Sequence, residues 1–314
     1  DYPREDHCDQ STWSGAEKGF VRAAKQTDTK GAILATFSDT ISEPVISRLM
    51  KEGVASLAGI NAGLSGIQAA VDIGKAWSQT AKPPLLNCFN QTQKTTAKVL
   101  NEAESKDYLN RNGIPIPAAQ IVSNAVEAAI AAGTLGYPVV VKALGVAHKT
   151  EVGGVKLKLA KAIEVSTAVA EMSSLATSFL IEKMVDNIVV ELIVGVARDD
   201  QFGPYLLVGG GGILVEMMKD SKSLLLPTSK GEVLRALNQL KCSPLFNGFR
   251  GAPAADIDAA ANVILAVATL IEKDPADIIE LDINPLMVLP KGQGAVAVDA
   301  LIRQKISPHS SSNS

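Results

Sequence analysis

The stretch 137–159 reads YPVVVKALGVAHKTEVGGVKLKL. Its β-branched run, Val139, Val140 and Val141, predicts a buried strand, with Lys142 at the strand's end. A polar segment bearing His148, Lys149, Thr150 and Glu151 follows, and then the pair Gly153-Gly154. Residues 155–159 alternate Val, Lys, Leu, Lys, Leu, the pattern of a strand with one face to solvent. The whole reads as a hairpin with a lysine at its base and a histidine-bearing, glycine-flanked loop. Such an arrangement is suited to handling phosphate.

The surrounding chain has 314 residues, enough for two or three domains with proper cores. It is 46% hydrophobic but only 4% aromatic, so Ala, Val, Leu and Ile must build the interior. A net charge of -3 and the lack of a long basic run argue against a dedicated nucleic-acid binder. Small molecules are the expected partners. Cys8, Cys88 and Cys242 are odd in number and form no CxxC pair. They predict free thiols in a reducing compartment rather than a disulfide framework or a zinc site. The longest mostly apolar run, 263–271, is about half of a membrane span, and no signal peptide is visible. A soluble, cytoplasmic protein is expected. The chain begins at Asp1 without methionine, which suggests a piece of something longer.

Before the hairpin, strands at 31–37 and 54–60 alternate with helices at 16–25, 42–52 and 65–79. That rhythm predicts a parallel sheet. Two strands are fewer than a doubly wound domain needs, so 1–80 reads as the second half of one. Residues 81–96, with Pro83-Pro84, read as a linker. Asn101 caps a helix over 102–110, and Ile114-Pro115-Ile116-Pro117 is extended because residues before proline avoid the helical region. A helix over 123–133 leads into the hairpin. Beyond it come a helix at 163–175 and strands at 178–183 and 188–196. A strand at 205–208 enters the run Gly209 to Gly212, and another follows at 213–218. Helices at 231–240 and 256–273, strands at 278–283 and 295–299, and a polar tail at 309–314 complete the chain, with 97–308 as one two-lobed domain.

Neither GxxxxGK[ST] nor GxGxxG occurs, so a nucleotide would be held in another way. Lys142 offers a point charge for phosphate oxygens; the plainer alternative is an exposed lysine at a sheet edge. Ile181-Glu182-Lys183-Met184-Val185 suits an adenine hinge, with Glu182 accepting from the exocyclic amine and the Val185 N–H donating to a ring nitrogen. Lys183 and Met184 lie between them, and Glu191 on the following strand would return to the nucleotide. An ordinary strand-turn-strand is the alternative. Strand alternation puts Asp282 and Asn284 on one face, joined by Asp299 if the next strand is a neighbour. Such oxygen ligands suit Mg²⁺ bridging nucleotide phosphates; an Asn-Pro turn with a capping Asp is the alternative.

Taken in order, these features resemble the ATP-grasp fold, and within it the nucleotide-binding half of the NDP-forming acyl-CoA synthetases, relatives of succinyl-CoA synthetase. The likeness is carried by GYPVVVKALGVAHKTEVGGVKL, IEKMV, ELIVGVARDDQFGP, VGGGGILVEMMKD and ELDINPL, over about residues 95 to 303. Residues 1–80, with DYPRED and GINAGLSGIQAAVDIG, are similar to the end of the family's flavodoxin-like ligase domain. The resemblance implies an α/β and α+β architecture, an ATP-grasp fold preceded by part of a parallel-sheet domain.

It further implies conversion of acid, CoA and ATP to acyl-CoA, ADP and phosphate through an acyl phosphate. ATP or ADP with Mg²⁺ would bind here, and CoA mainly outside the chain. His148 matches the histidine of the family's mobile loop, which relays a phosphoryl group, and Glu151 would orient its ring or take its proton. Gly210, Gly211 and Gly212 would lie against the phosphates, with Glu216 and Asp220 as weaker candidates nearby. His7 and His309 are read as exposed bystanders. The CoA-binding Rossmann domain and the part holding the first phosphohistidine are absent from this sequence, so they are expected partners, along with a carboxylic acid or its acyl-CoA and a second copy in a homo-oligomer. Nucleic acid and membrane are not among them. Two alternatives stay open: a regulatory nucleotide- or ligand-binding module, as in acetyltransferase fusions, and an ATP-grasp carboxylate–amine ligase.

Overall fold

The computed structural model describes residues 2, 11–78, 97–146, 149, 152–212, 220–273 and 277–305. The linker at 81–96, the strand expected over 213–218 with Glu216, the tail, His7, His309, His148 and Glu151 lie outside them. The chain divides into two units, Asp1–Ala81 and Lys82–Ser314.

In the first unit, strands β1 (Gly31–Ala35) and β2 (Val54–Ala58) pair in parallel. Helices α1 (Ser11–Thr27) and α2 (Glu43–Lys51) accompany them, and Leu49, Val45, Val54, Ile41 and Ala35 form a small core. Helix α3 (Ile60–Trp77) has its apolar stripe, Ile60, Leu64, Ile67 and Val71, exposed. α1 is longer than the expected 16–25, while the β-α-β order matches the sequence reading.

The second unit holds two antiparallel sheets. The first has order β4-β7-β5-β6, from β4 (Ala119–Val122), β5 (Val139–Ala143), β6 (Val155–Leu159) and β7 (Phe179–Lys183). Helices α5 (Ala125–Leu135) and α6 (Ala162–Met172) cover one face, burying Val139, Val141, Ala143, Phe179 and Ile181 against Ala128, Ala132, Val165 and Val169. Side chains alternate across a strand. The partners of this apolar set, Lys142 and Glu182 among them, must therefore face the other way.

The second sheet runs β10-β9-β8-β11-β13-β3, with β12 also paired to β11. Its strands are β3 (Ala97–Val99), β8 (Val190–Asp199), β9 (Gly203–Gly210), β10 (Ser221–Leu225), β11 (Ile278–Val288), β12 (Ala295–Ala297) and β13 (Ala300–Lys305). Helices α7 (Lys230–Asn238) and α8 (Ile257–Lys273) pack on the face of Leu192, Val194, Leu206, Leu281 and Ile283. The Asp256 carboxylate caps α8 by accepting from Ala259 N at 3.2 Å, and also accepts from Gly292 N and Gly294 N, both at 2.9 Å. Here too the apolar alternates take the helix side. Asp282, Asn284 and Glu191 are left on the opposite face.

Several elements differ from expectation. The short strands β3, β4, β10 and β13 are absent from the sequence reading; three to six residues long and half exposed, they carry no strong alternation. β11 does not stop at an Asn-Pro turn: it continues to Val288, its register with β8 shifting between Ile283 and Leu286. The strand expected over 295–299 ends at Ala297, and Asp299 sits in the short connection to β13. Lys142, the last residue but one of β5, is near the strand's end as expected but not at a sheet edge. It lies inside β5, between β6 and β7, and is 5% exposed.

Helix α4 (Glu102–Arg111) connects β3 to the first sheet. Its start is fixed by a capping box: Asn101 Oδ1 accepts from Glu104 N at 2.9 Å, and Glu104 Oε2 accepts from Asn101 N at 2.8 Å. The buried stripe of this helix is polar, Glu102, Ser105 and Lys106, with Leu109. Replacing Asn101 with Ala should cost about 1 kcal/mol of stability. Urea unfolding of the variant should show a lower midpoint with an unchanged slope.

Candidate functional site

The inward face of β5 and β7 meets α4 in a buried charge cluster. Lys142 Nζ lies 2.7 Å from Glu102 Oε1 and 3.2 Å from Glu182 Oε1, and donates to Val298 O at 3.0 Å. Its three protons are thus engaged. Lys106 Nζ lies 2.9 Å from Glu102 Oε1 and also pairs with Glu182 Oε2. Lys149, from the loop between β5 and β6, pairs with Glu102 Oε2 and stands 3.9 Å from Asp299 Oδ2. Glu182 is 1% exposed and Lys106 2%.

Buried charges hold only when paired, and the pairing is visible in the protonation of these groups. Burial alone would raise the Glu102 carboxyl, but Lys142, Lys106 and Lys149 outweigh it and hold it at about 2. For Lys142, burial disfavours the ammonium, yet Glu182 and Glu102 push its pKa above the usual range. Lys106 goes the other way: burial and the nearby Lys142 charge lower it, against the pull of Glu182 and Glu102.

Beside the cluster lies a pocket of about 630 Å³ between the two sheets. Its polar lining is Asn101, Glu102, Lys149, Asp282, Asn284 and Asp299; Leu144 and Val146 come from the first sheet's side and Leu301 from the second. Asp299 reaches Asn284 because the strands are neighbours: Ile283 pairs with Ala300, and Asn284 N donates to Asp299 O at 3.2 Å. Burial, then Glu102, raises the Asp299 carboxyl, with Lys149, Lys142 and Lys106 opposing. Burial, then Glu280 and Asp299, raises Asp282. Among the described residues no three His, Cys, Asp or Glu side chains are grouped to hold a metal by themselves. A Mg²⁺ delivered with nucleotide phosphates needs only one or two carboxylates, and two carboxylates with raised pKa values beside an amide oxygen fit that demand.

The other sequence candidates fall nearby but are differently employed. Lys183 Nζ donates to Gly136 O and Tyr137 O at 3.0 and 2.8 Å, and Met184 N donates to Pro138 O at 3.1 Å, so both tie the end of β7 to the start of β5. Val185 follows, half-buried. Two amides of the glycine run are already engaged. Gly209 and Gly210 belong to β9, Gly210 N donates to Asp220 O at 3.1 Å, and Gly211 N donates to Glu191 O at 2.7 Å. Glycine is required at 211 for close packing, since a Cβ there would lie 3.0 Å from Glu191. Gly212 lies against the Glu191 carboxylate, 3.6 Å from Oε2 measured from an added Cβ. Asp220 accepts from Cys242 N at 3.3 Å.

Glu102 and Lys106 are the residues that sequence reading misses. An i,i+4 Glu–Lys pair on a polar helix normally marks a solvated face. Only the position of α4 against β5, set by tertiary pairing, turns that face inward.

A family profile for the ATP-grasp domain matches residues 91–303. A trans-feruloyl-CoA synthase from an unknown prokaryotic organism is 39% identical over 215 residues, 65% of this chain and 30% of that protein. The subunit beta of acetate–CoA ligase [ADP-forming] I from Pyrococcus furiosus is 34% identical over 217 residues, 66% of this chain and 92% of the subunit. Among solved structures, acetyl-coenzyme A synthetase 1 of Ca. Korarchaeum cryptofilum, in complex with coenzyme A and Mg-AMPPCP and with its phosphohistidine segment pointing towards the nucleotide binding site, aligns with a TM-score of 0.59 and 33% identity, covering 66% of this chain and 93% of that one. The chain thus spans under a third of the synthase but nearly all of the β subunit. With two sheets flanking a lysine-and-carboxylate cleft in the matched region, the chain belongs to the ADP-forming acyl-CoA ligase family and carries its ATP-grasp nucleotide-binding portion.

Proposed function

We propose that this chain supplies the ATP-binding and phosphoryl-transfer steps of an acid–CoA ligase that converts acid, CoA and ATP to acyl-CoA, ADP and phosphate. The observation that carries this reading is the pocket lined by Glu102, Lys149, Asp282, Asn284 and Asp299, with the buried Lys142 held directly behind it by Glu102. Cations on one wall and oxygen donors on another suit a polyphosphate with its metal. The β-subunit relative and the Mg-AMPPCP complex of the Korarchaeum enzyme support the same assignment. CoA, the acid and the first phosphohistidine would be contributed by domains beyond the matched segment.

In this reading Lys142 takes up negative charge of the nucleotide phosphates, the buried Lys106 adds to the positive field behind it, and Glu102 and Glu182 hold the two ammoniums in place. Because the protons of Lys142 are engaged, a phosphate oxygen must replace one of its present partners. Asp299, Asn284 and Asp282 would hold a magnesium ion, which when bound would neutralise charge on the phosphates and align them. The adenine lies along 182–185, with Glu191 and Gly210 to Gly212 bordering the phosphates. His148 is the carrier: its ring nitrogen forms the N–P bond while the bond to the ADP oxygen breaks, ADP leaves with the electron pair, and Glu151 takes the ring proton. The phosphoryl group then passes to the histidine of the ligase domain and on to the acid.

Calorimetry on the full chain should detect Mg-ATP, and Lys142→Met or Asp299→Asn should weaken it at least about tenfold, about 1.4 kcal/mol. Unaltered affinity in both variants would remove the site from consideration. With γ-labelled ATP the chain should acquire acid-labile phosphate that His148→Asn abolishes without changing nucleotide affinity; label persisting in that variant would place the carrier elsewhere. Stability should also depend on pH through Glu102. A carboxyl held near 2, against 4.5 for the free side chain, contributes stability above pH 4.5 that is lost as pH falls toward 2. The shift corresponds to a contribution on the order of 3 kcal/mol at neutral pH. Asp299 and Asp282, raised instead, act in the opposite sense and blunt the acid limb. Glu102→Gln should lower neutral-pH stability and flatten that limb in urea titrations from pH 7 to 3.

A further inference from the structure

Lys149 differs from the other two lysines of the cluster in where it sits and what it has left to give. Lys142 and Lys106 are 5% and 2% exposed and absent from the pocket's lining. The Lys149 side chain is 19% exposed and lines the pocket together with Asp282, Asn284 and Asp299. Glu102 divides its carboxylate accordingly: Oε1 serves Lys142 and Lys106, and Oε2 serves Lys149. The Lys149 ammonium therefore stands between Glu102 and Asp299, 3.9 Å from the latter.

This position is built rather than incidental. Gly154 N donates to Lys149 O at 2.6 Å, and Gly154 O accepts from Ala143 N at 2.8 Å, which ties the Lys149 backbone to the end of β5. A Cβ at Gly154 would approach Lys149 O to 3.1 Å and Lys149 Cα to 3.5 Å. Glycine at 154 is what lets the lysine come so close. The cleft holds four carboxylates, Glu102, Glu182, Asp282 and Asp299, and Lys149 is the third ammonium that brings it near balance.

We propose that Lys149 is a resident counter-cation of the metal site, which repels free divalent ions from Asp299 and Asn284 and admits a metal only when polyphosphate accompanies it. A divalent ion on Asp299 and an ammonium 3.9 Å from the same carboxylate repel strongly at the effective dielectric of a partly buried site. Nucleotide phosphates change the balance, because they offer both cations new negative partners. Lys149 would then turn from Asp299 to phosphate, leaving the Asp299 carboxylate free to hold the metal. The inference rests on the metal reading of Asp299 and Asn284 given above, and makes Lys149 a specificity-determining residue of that site.

The test is Mn²⁺ binding to the full chain without nucleotide, followed by the loss of the free-Mn²⁺ resonance in electron paramagnetic spectra. Lys149→Met should bind Mn²⁺ at least tenfold more tightly than the unaltered chain, while Lys149→Arg should behave like the unaltered chain. Adding Asp299→Asn to Lys149→Met should cancel the gain. Lys149→Gln gives the same comparison if the Met variant does not fold, as judged by its melting curve. Equal or weaker Mn²⁺ binding in the Met and Gln variants overturns the proposal. A parallel titration with a non-hydrolysable ATP analogue separates the two levels of failure. Asp299-dependent Mn²⁺ binding with the analogue, but no gain in Lys149→Met without it, sinks the Lys149 role alone. No Asp299-dependent Mn²⁺ binding under either condition overturns the metal reading, and this proposal with it.

Discussion

One carboxylate, that of Glu102, accepts from three lysines that would otherwise be uncompensated cations in the interior. Burying an ammonium without a partner costs several kcal/mol, and Lys106 and Lys142 are both nearly sealed from solvent. The cluster can exist only if Glu102 is delivered to one place. That delivery depends on the Asn101–Glu104 capping box, which fixes the first turn of α4, and on the β3–β13 pairing that immediately precedes it. A local capping motif thus decides where three positive charges sit.

The sheets solve a related problem by alternation. Each sheet of the second unit is covered by helices on one face, so its apolar residues take that face and its polar alternates gather on the other. The cleft then forms where the two uncovered faces meet. Lys142 and Glu182 come from adjacent strands of one sheet, with Val140 opposite Glu182 in register. Asp282 and Asn284 come from one strand of the other sheet, and Asp299 from the connection that follows β12. Chemistry concentrates on these faces because the opposite faces are committed to the core.

Much of this was readable in the sequence because it follows from periodicity. The Val139–Val141 run, the alternating strand over 155–159, the Asn101 cap and the shared face of Asp282 and Asn284 all carry local signatures, and the structure bears them out. What could not be read is set by pairing between distant segments. The burial of Lys142 depends on β6 and β7 flanking it, and the partnership of Glu102 with Lys149 spans 47 positions. Glu182 illustrates the gap most directly. Its segment reads as a nucleotide hinge, yet its carboxylate meets Lys106, 76 residues earlier, and Lys142. The amides of Gly210 and Gly211 have partners of the same kind, Asp220 O and Glu191 O, which only the folded sheet provides.

The cleft's charges are also coupled to how its walls meet. Lys142 belongs to the first sheet, but one of its protons goes to Val298 O, beside Asp299 and next to the second sheet. Asp299 in turn feels the charge of Glu102 and of all three lysines. A change in the separation of the two walls therefore alters the hydrogen bonding of Lys142 and the electrostatic load on Asp299 together. A rigid cluster of fixed pairs would have no such sensitivity. The arrangement here has one interwall bond to a neutral carbonyl, which is weaker than the ion pairs around it. It is the contact that a negatively charged ligand can most readily replace, and replacing it leaves every carboxylate–lysine pair of the core intact.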